Sequence, residues 1–340
     1  MPSLDKLASV DIGLSGAAFT EASYSTILVG YAAKLSSDVT PQLVSSATEF
    51  AQVTSVDTSS AAYIGTQVLF QQSRRPSRII VMPFQSDTSG ATADGTSFTN
   101  ALQASASKLN ALGGYYGVLF PSSDNANKKL VADFCETVRK LYVTVDLTGS
   151  SLSATDGTDL AGYINAKQYN YTAVLATSTL LNGTESAAFA WMAQNFFYAA
   201  GTENWAETQL TGVLPTYLTD TQRTIALGKY ANTYEPYGEE EGNAVSLTYK
   251  GTVGSGHYID EIRGRDWLCN AIKVAAVNAI VQRPRLPYTA GGMAVVKNAV
   301  LGVLEKAMTI GFLAQPTVAA DGVTTIPSYT VTMPARVDVA

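Results

Sequence analysis

The residues with the most chemical potential crowd into Gly251 to Asn270, GTVGSGHYIDEIRGRDWLCN. Asp260, Glu261 and Asp266 stand close to one another, with Arg263 and Arg265 between them and the single histidine, His257, just before. Carboxylates at this density could pass a proton or hold a divalent cation. The interspersed arginines give the plainer reading, a set of ion pairs that neutralises itself. If such a set crosses a subunit boundary, it fixes register there and acts as a latch.

Other chemistries fail at their motifs. Ser255 lies between Gly254 and Gly256, but Val253 and His257 occupy the outer positions, so the nucleophile-elbow pattern GxSxG is broken. A lone histidine beside glycines reads as a turn or interface residue. No GxGxxG follows the first strand and no GxxxxGK[ST] occurs, so a nucleotide phosphate has no recognisable cradle. Cys135 and Cys269 belong to no CxxC or comparable spacing and read as buried thiols in a reducing cytoplasm. We expect no catalytic residue, no metal and no cofactor.

Two further basic features invite attention. Arg74, Arg75 and Arg78 bracket Pro76 at the end of a helix, where cations meet the helix dipole favourably or make a partner-binding patch. Lys297 falls on a helical wheel with Met293, Leu301 and Leu304, away from Asn298, Glu305 and Lys306. It either snorkels to the rim of an apolar face or touches an acidic partner. Trp191, Trp205 and Trp267 read as core.

Composition narrows the class. With 340 residues the chain suggests two medium domains. Apolar residues make up 46% and charged ones only 15%, so the surface must rely on Ser, Thr, Asn and Gly, which suits packing against other protein. A net charge of −6 disfavours nucleic acid, whose binding needs clustered cations. No apolar run reaches the roughly 18 residues a bilayer span requires, and Met1 to Val10 has no signal-like apolar stretch, so the protein should fold where it is made.

The elements that position these residues alternate between strand and helix. We expect strands at Thr26–Gly30, Arg78–Pro83, Tyr115–Phe120, Leu141–Leu147 and Tyr171–Thr177. Helices are expected over Ser59–Gln72, with Tyr63, Val68, Leu69 and Phe70 as core, and over Ser97–Leu112, Asn125–Arg139, Asp159–Ala166 and Glu185–Ala200. This is the pattern of an α/β fold with a doubly wound, mostly parallel sheet. Gln85–Thr99 and Thr148–Thr158 are expected to be exposed connections. Thr219 and Gln222 form a capping box before a helix to about Ala231, and the acidic run Glu239–Glu241 marks the domain boundary. Beyond it come helices Asp266–Val281 and Thr289–Ile310 in a smaller α+β domain. Both chain ends carry strand patterning without nearby partners: Val10, Ile12 and Leu14 in one, Tyr329, Val331 and Met333 in the other. Unpartnered arms are what β-augmentation between copies requires. No internal repeat or coiled-coil heptad is present.

Three stretches, FQQSRRPSRIIV, GTVGSGHYIDEIRGRDWL and PYTAGGMAVVKNAVLGVLEKAMTIGF, together resemble the family of contractile phage (myophage) tail sheath proteins. The pattern Gly-x-Tyr-Ile-Asp-Glu-Ile-Arg-Gly-x-Asp-Trp-Leu maps onto Gly256, Tyr258 to Gly264 and Asp266 to Leu268. The resemblance implies a structural subunit without an active site, assembled in the host cytoplasm into stacked six-fold rings of a virion tail. Contraction would drive a tail tube through the host envelope for genome ejection. Tube, baseplate and tail terminator proteins would be its partners, with no nucleic acid and no membrane insertion. It further implies residues 1–22 as an N-terminal strand arm, 23–243 as an outer α/β domain, 244–322 as a tube-facing domain and 323–340 as a C-terminal strand arm. Lys273, Lys297 and Lys306 become candidate tube contacts. A sheath-capping or tail-terminator ring protein is the alternative.

Overall fold

The computed structural model describes residues 23–33, 40–85, 94–154, 157–177, 185–238, 242–283, 285–287, 289–318 and 325–332. It divides into two compact units, one running from residue 22 to residue 267 and the other containing everything from residue 268 onward. Val10, Ile12, Leu14 and Met333, and the acidic run 239–241, lie outside the described residues.

The first unit is an α/β layer structure. In chain order it comprises β1 (Ile27–Ala33), β2 (Gln42–Val44), α1 (Ala47–Thr54), α2 (Ala61–Gln71), β3 (Ile79–Gln85), α3 (Gly95–Ala104), α4 (Ala106–Ala111), β4 (Gly117–Leu119), α5 (Asn125–Val138), β5 (Leu141–Asp146), α6 (Leu160–Ala166), β6 (Thr172–Ala176), α7 (Ser186–Phe196), α8 (Asp220–Gly228), β7 (Thr233–Tyr237) and β8 (Val245–Tyr249). Six strands form one sheet in the order β2-β3-β1-β4-β5-β6. Every pairing in it is parallel except that of the short edge strand β2 with β3.

Strand periodicity sorts side chains between two cores. Ile27, Val29 and Tyr31 of β1 join α2 and α7 in one cluster, while Leu28 joins Phe98, Val131 and Ile164 from the helices of the other. The central strands are therefore apolar on both faces, and β1, β3, β5 and β6 read in sequence as short unbroken runs. Polar caps stop the helices where the sequence announced them. Thr219 and Gln222 form the reciprocal capping box of α8, and Asp159 caps α6 by accepting from Gly162 N–H.

Several expectations need correction. The helix expected over Ser97–Leu112 is two, α3 and α4, because Ser105 leaves helical geometry at φ −98° and ψ 10°. The connection Thr148–Thr158 is not wholly exposed: Ser151 and Leu152 are buried in a 3₁₀ turn, and Ser151 donates to Asp159. Helix α1 went unread although Ser46-Ala47-Thr48-Glu49 carries a cap signal, with the Ser46 hydroxyl accepting from Glu49 N–H. The β7–β8 hairpin was masked by Pro236 and by Glu235, a carboxylate buried on a strand only because Arg223 of α8 holds it at 2.6 Å. That hairpin and the residues up to Trp267 belong to the first unit, so the compact units part at residue 267 rather than at the acidic run.

The second unit is built from the rest of α9 (Ile259–Val281), from α10 (Ala290–Thr309), and from the antiparallel pair β9 (Thr317–Val318) and β10 (Thr325–Ile326). Thr289 caps α10 by accepting from Gly292 N–H, and Gly311 follows its end at φ +84°. Tyr329 and Val331 are described and half-buried, but no strand forms there. The tail's short strand lies earlier, at β10, and Pro327, which lacks a donor, ends it.

Candidate functional site

The chemically rich segment is the root of α9. This helix starts at Ile259, seven residues before the expected Asp266, so the charged residues sit on helical turns. Their spacing then decides which side each faces. Ile259, Ile262, Arg263 and Trp267 recur at helical intervals and are buried, whereas Glu261 and Arg265 are exposed. Burying the two isoleucines contributes about 1.5–3 kcal/mol each.

Arg263 is fully buried and meets Glu203, also buried, at 2.7 Å. Its remaining donors reach the Tyr24 carbonyl at 3.0 Å, the Tyr198 carbonyl at 2.9 Å, the Asn195 carbonyl at 3.4 Å and the Ser25 hydroxyl at 3.3 Å. The guanidinium carbon lies 4.5 Å from the centre of the Phe196 ring. Glu203 accepts further bonds from Thr202 N–H and the Trp205 indole. A buried pair repays desolvation only when the other donors and lone pairs are also used, as they are here.

One turn on, the Asp266 carboxylate accepts from the Tyr116 hydroxyl at 2.9 Å and the Tyr171 hydroxyl at 3.1 Å. Burial first, and the Asp266 charge second, push the Tyr116 phenol well up and the Tyr171 phenol to about 12, so both remain donors at any ordinary pH. Tyr24 donates to the Asp266 carbonyl at 2.9 Å.

The glycine-rich loop before α9 is welded to the sheet through Asn232, which is fully buried. Its amide oxygen accepts from Gly251 N–H and Thr252 N–H at 2.8 Å each, and its amide nitrogen donates to the Thr252 and Val174 carbonyls. Its backbone extends the edge of β6 through Val174 and Ala176. Gly254 is required by close approach: a Cβ there would fall 2.2 Å from an Ile164 methyl carbon. Gly256 needs its positive φ of +86°.

The expected ion-pair network is thus not one network. Arg263 and Asp266 point into the protein with separate partners, and Arg265 reaches Tyr171 at 3.2 Å and Asp266 at 3.5 Å. Glu261 is exposed, 3.9 Å from His257, and Asp260 is half-buried, its carboxyl pushed up by burial, which outweighs bonds from backbone N–H groups, with Glu203 and Glu261 adding to the rise. Sequence reasoning missed Glu203, Asn232, Tyr24, Tyr116 and Tyr171, because each meets its partner across a distance in sequence that no motif spans. Among the expected lysines, Lys273 and Lys306 are exposed, and Lys297 is half-buried beside half-buried Met293 and Leu301 and buried Leu304. Arg74, Arg75 and Arg78 are exposed. Arg75 donates to the Gln72 carbonyl just past α2, and Arg74 lies over the Tyr198 ring. Trp191, Trp205 and Trp267 are buried, as is Cys135, but Cys269 is exposed on α9, off its buried stripe.

A second buried pair lies elsewhere in the unit. Lys128 of α5 is paired with Glu185, which precedes α7, and donates to the Val145 carbonyl at 2.6 Å. Burial outweighs Lys128 and pushes the Glu185 carboxyl up to about 7. At the end of β5, Asp146 is also pushed up by burial, but hydrogen bonds from Ser151, Thr148 and Asn125 win and hold it at about 2. Open clefts of about 580, 400 and 230 Å³ occur in the first unit. Among the described residues, no three His, Cys, Asp or Glu side chains are placed to hold a metal ion, and no helix is long and apolar enough to cross a membrane.

Comparison with known proteins gives this architecture a class. Residues 259–330 match the family model described as E217 tail sheath protein gp31-like, C-terminal domain, and the match begins at the first residue of α9. Over nine-tenths or more of its length the chain is similar in fold to contractile sheath structures. One is the helical sheath of the anti-feeding prophage in its contracted state, at 14% identity and a TM-score of 0.61 over 90% of this chain and 83% of that one. Another is the sheath complex of the extracellular contractile injection system PVC, contracted, at 11% identity and 0.57 over 98% and 97%. The sheath tail protein of Listeria innocua aligns at 10% identity and 0.55 over 91% and 88%. No curated protein sequence matches. The resemblance to contractile tail sheath proteins therefore rests on a family match for the C-terminal part and a shared fold for the rest.

Proposed function

We propose that this chain is the structural subunit of a contractile phage tail sheath, polymerising helically around a tail tube as stacked six-fold rings and contracting to drive the tube through the host envelope. The observation that carries this reading is the match of residues 259–330 to a tail sheath C-terminal domain. The sheath and baseplate assemblies among the similar structures support homo-oligomeric assembly and association with a baseplate. Tube and tail terminator proteins complete the set of partners, and the assembled subunit belongs to the virion tail.

Neighbours are joined by their terminal arms, with Val10, Ile12 and Leu14 at one end and Tyr329, Val331 and Met333 at the other. The β9–β10 pair is the natural acceptor. It has two strands of two residues, all exposed, and so small a sheet gains stability only when further strands are added. A head-to-tail exchange whose rotation does not close generates an open helix. Energy is stored during assembly, so contraction needs no nucleotide. The unit that holds α10 faces the tube, with Lys297 at the contact and Lys273 and Lys306 beside it. Arg265, Glu261 and Asp260, which the fold leaves toward the outside of α9, are the members of the charged segment available as a latch between copies.

Electron microscopy of the purified chain with tube protein tests this directly. Hollow tubes of stacked rings are expected; closed single rings or dispersed monomers would overturn the proposal. A Lys297→Glu variant should keep its fold and lose tube docking.

A further inference from the structure

The chain enters and leaves the first unit at almost the same point. The unit begins at residue 22 and ends at residue 267, and the contacts just inside those limits bind one another. Arg263 donates to the Tyr24 carbonyl at 3.0 Å and the Ser25 hydroxyl at 3.3 Å, and the Tyr24 hydroxyl donates to the Asp266 carbonyl at 2.9 Å. The Tyr24 and Tyr116 rings pack with centroids 5.0 Å apart, and Tyr116 in turn donates to the Asp266 carboxylate. A stretch of 239 residues separates the ends of the first of these bonds.

We propose that Arg263, with Asp266 and Tyr24, is a force-carrying node that passes tension from the segment before residue 22 to the segment after residue 267 without loading the α/β sheet between them. The proposal rests on the reading that both terminal segments are held by neighbouring subunits. A pull on the two segments stresses the Tyr24–Ser25 and Arg263–Asp266 contacts before it reaches β1, which starts at Ile27. Arg263 suits this role because its guanidinium holds Tyr24, Ser25, Asn195, Tyr198 and Glu203 at once. Shearing it loose breaks these bonds together and bares a buried charge. The sheet then travels with the node as a passenger.

Single-molecule stretching of the full chain, with handles at its two ends, tests the node. In the wild type, extension of residues 27–258 should start only after one rupture that gives access to roughly 800 Å of contour. The double variant Arg263→Met with Glu203→Gln removes both charges, so no buried charge is left unpaired, and the rupture force should fall to about half. Tyr24→Phe, which deletes one hydroxyl, keeps the test open if the double variant fails to fold, and it should lower the force by a smaller amount. With handles moved to Leu130 and Ala166 the node is out of the line of force, and Tyr24→Phe should pull like the wild type. Equal rupture forces for the wild type and the folded variants in the end-to-end geometry would overturn the node. So would a wild type whose sheet extends stepwise from low force. Since these measurements use single chains, a failure to form tubes with tube protein would count against the sheath reading and leave the node standing.

Discussion

The two units of this chain bury their apolar residues very differently. In the unit ending at Trp267, Trp191, Trp205, Phe50, Phe84, Phe98 and Phe189 are all but inaccessible, and even Arg263 and Lys128 are sealed inside. From residue 268 onward, the buried apolar residues among those described are Ala271, Leu304 and Ala307, while Val277, Ile280, Val281, Val318 and Ile326 are exposed. The first unit is stabilised by its own core. The second leaves much of its apolar area exposed among its described residues. In the proposed sheath, the first unit would be the body of the subunit and the second the connector between copies.

The largest test of this contrast strikes the sealed charges. Arg263→Ala leaves Glu203 buried without its partner and should cost about 3–5 kcal/mol in denaturant unfolding. The double change with Glu203→Gln should recover a large part of that loss. Next comes pH. Glu185 has a folded value of about 7, above its ordinary 4.5. Its contribution is therefore fully present below pH 4.5 and is lost as pH rises through 7, by roughly 3 kcal/mol. Unfolding midpoints of Glu185→Gln should be flatter across that window. Asp146 has the opposite sign: its folded value of about 2 makes its contribution present above 3.8 and lost as pH falls towards 2.

Asn232→Ala should cost about 2–3 kcal/mol, because Gly251 N–H and Thr252 N–H lose their acceptor in a buried site. Hydrogen exchange at those two amides reports the loss locally. The smallest effect sharpens the contrast most: Ile280→Ser should move monomer stability by no more than about 0.5 kcal/mol. The same variant should form shorter or fewer tubes when polymerised. A loss of monomer stability as large as that of a core substitution would erase the distinction between the units.

Much of the first unit was legible because its signals are local. Ile27 to Gly30 and Ile79 to Met82 are unbroken apolar runs, and Thr219 with Gln222 or Asp159 with Gly162 settle helix starts within a single turn. The hairpin β7–β8 was illegible because its residues contradict strand preference unless Arg223 is known to be there. The charged segment was located correctly but its partners were not. Five charges in seven positions read as paired with each other, whereas the helix starting at Ile259 turns Arg263 and Asp266 inward and leaves Glu261 and Arg265 outside.

By itself, then, the order of residues determined the alternation of strands and helices, the caps, and the likeness to sheath proteins through a run of thirteen positions. All of these depend on neighbours a few residues apart. Only the folded chain decided that Arg263 meets Glu203 and Tyr24, that Asp266 is held by two tyrosines, and that Asn232 fastens the loop before α9. Those contacts span up to 239 residues, and a pairing at that range exists only once a common core has brought the segments together.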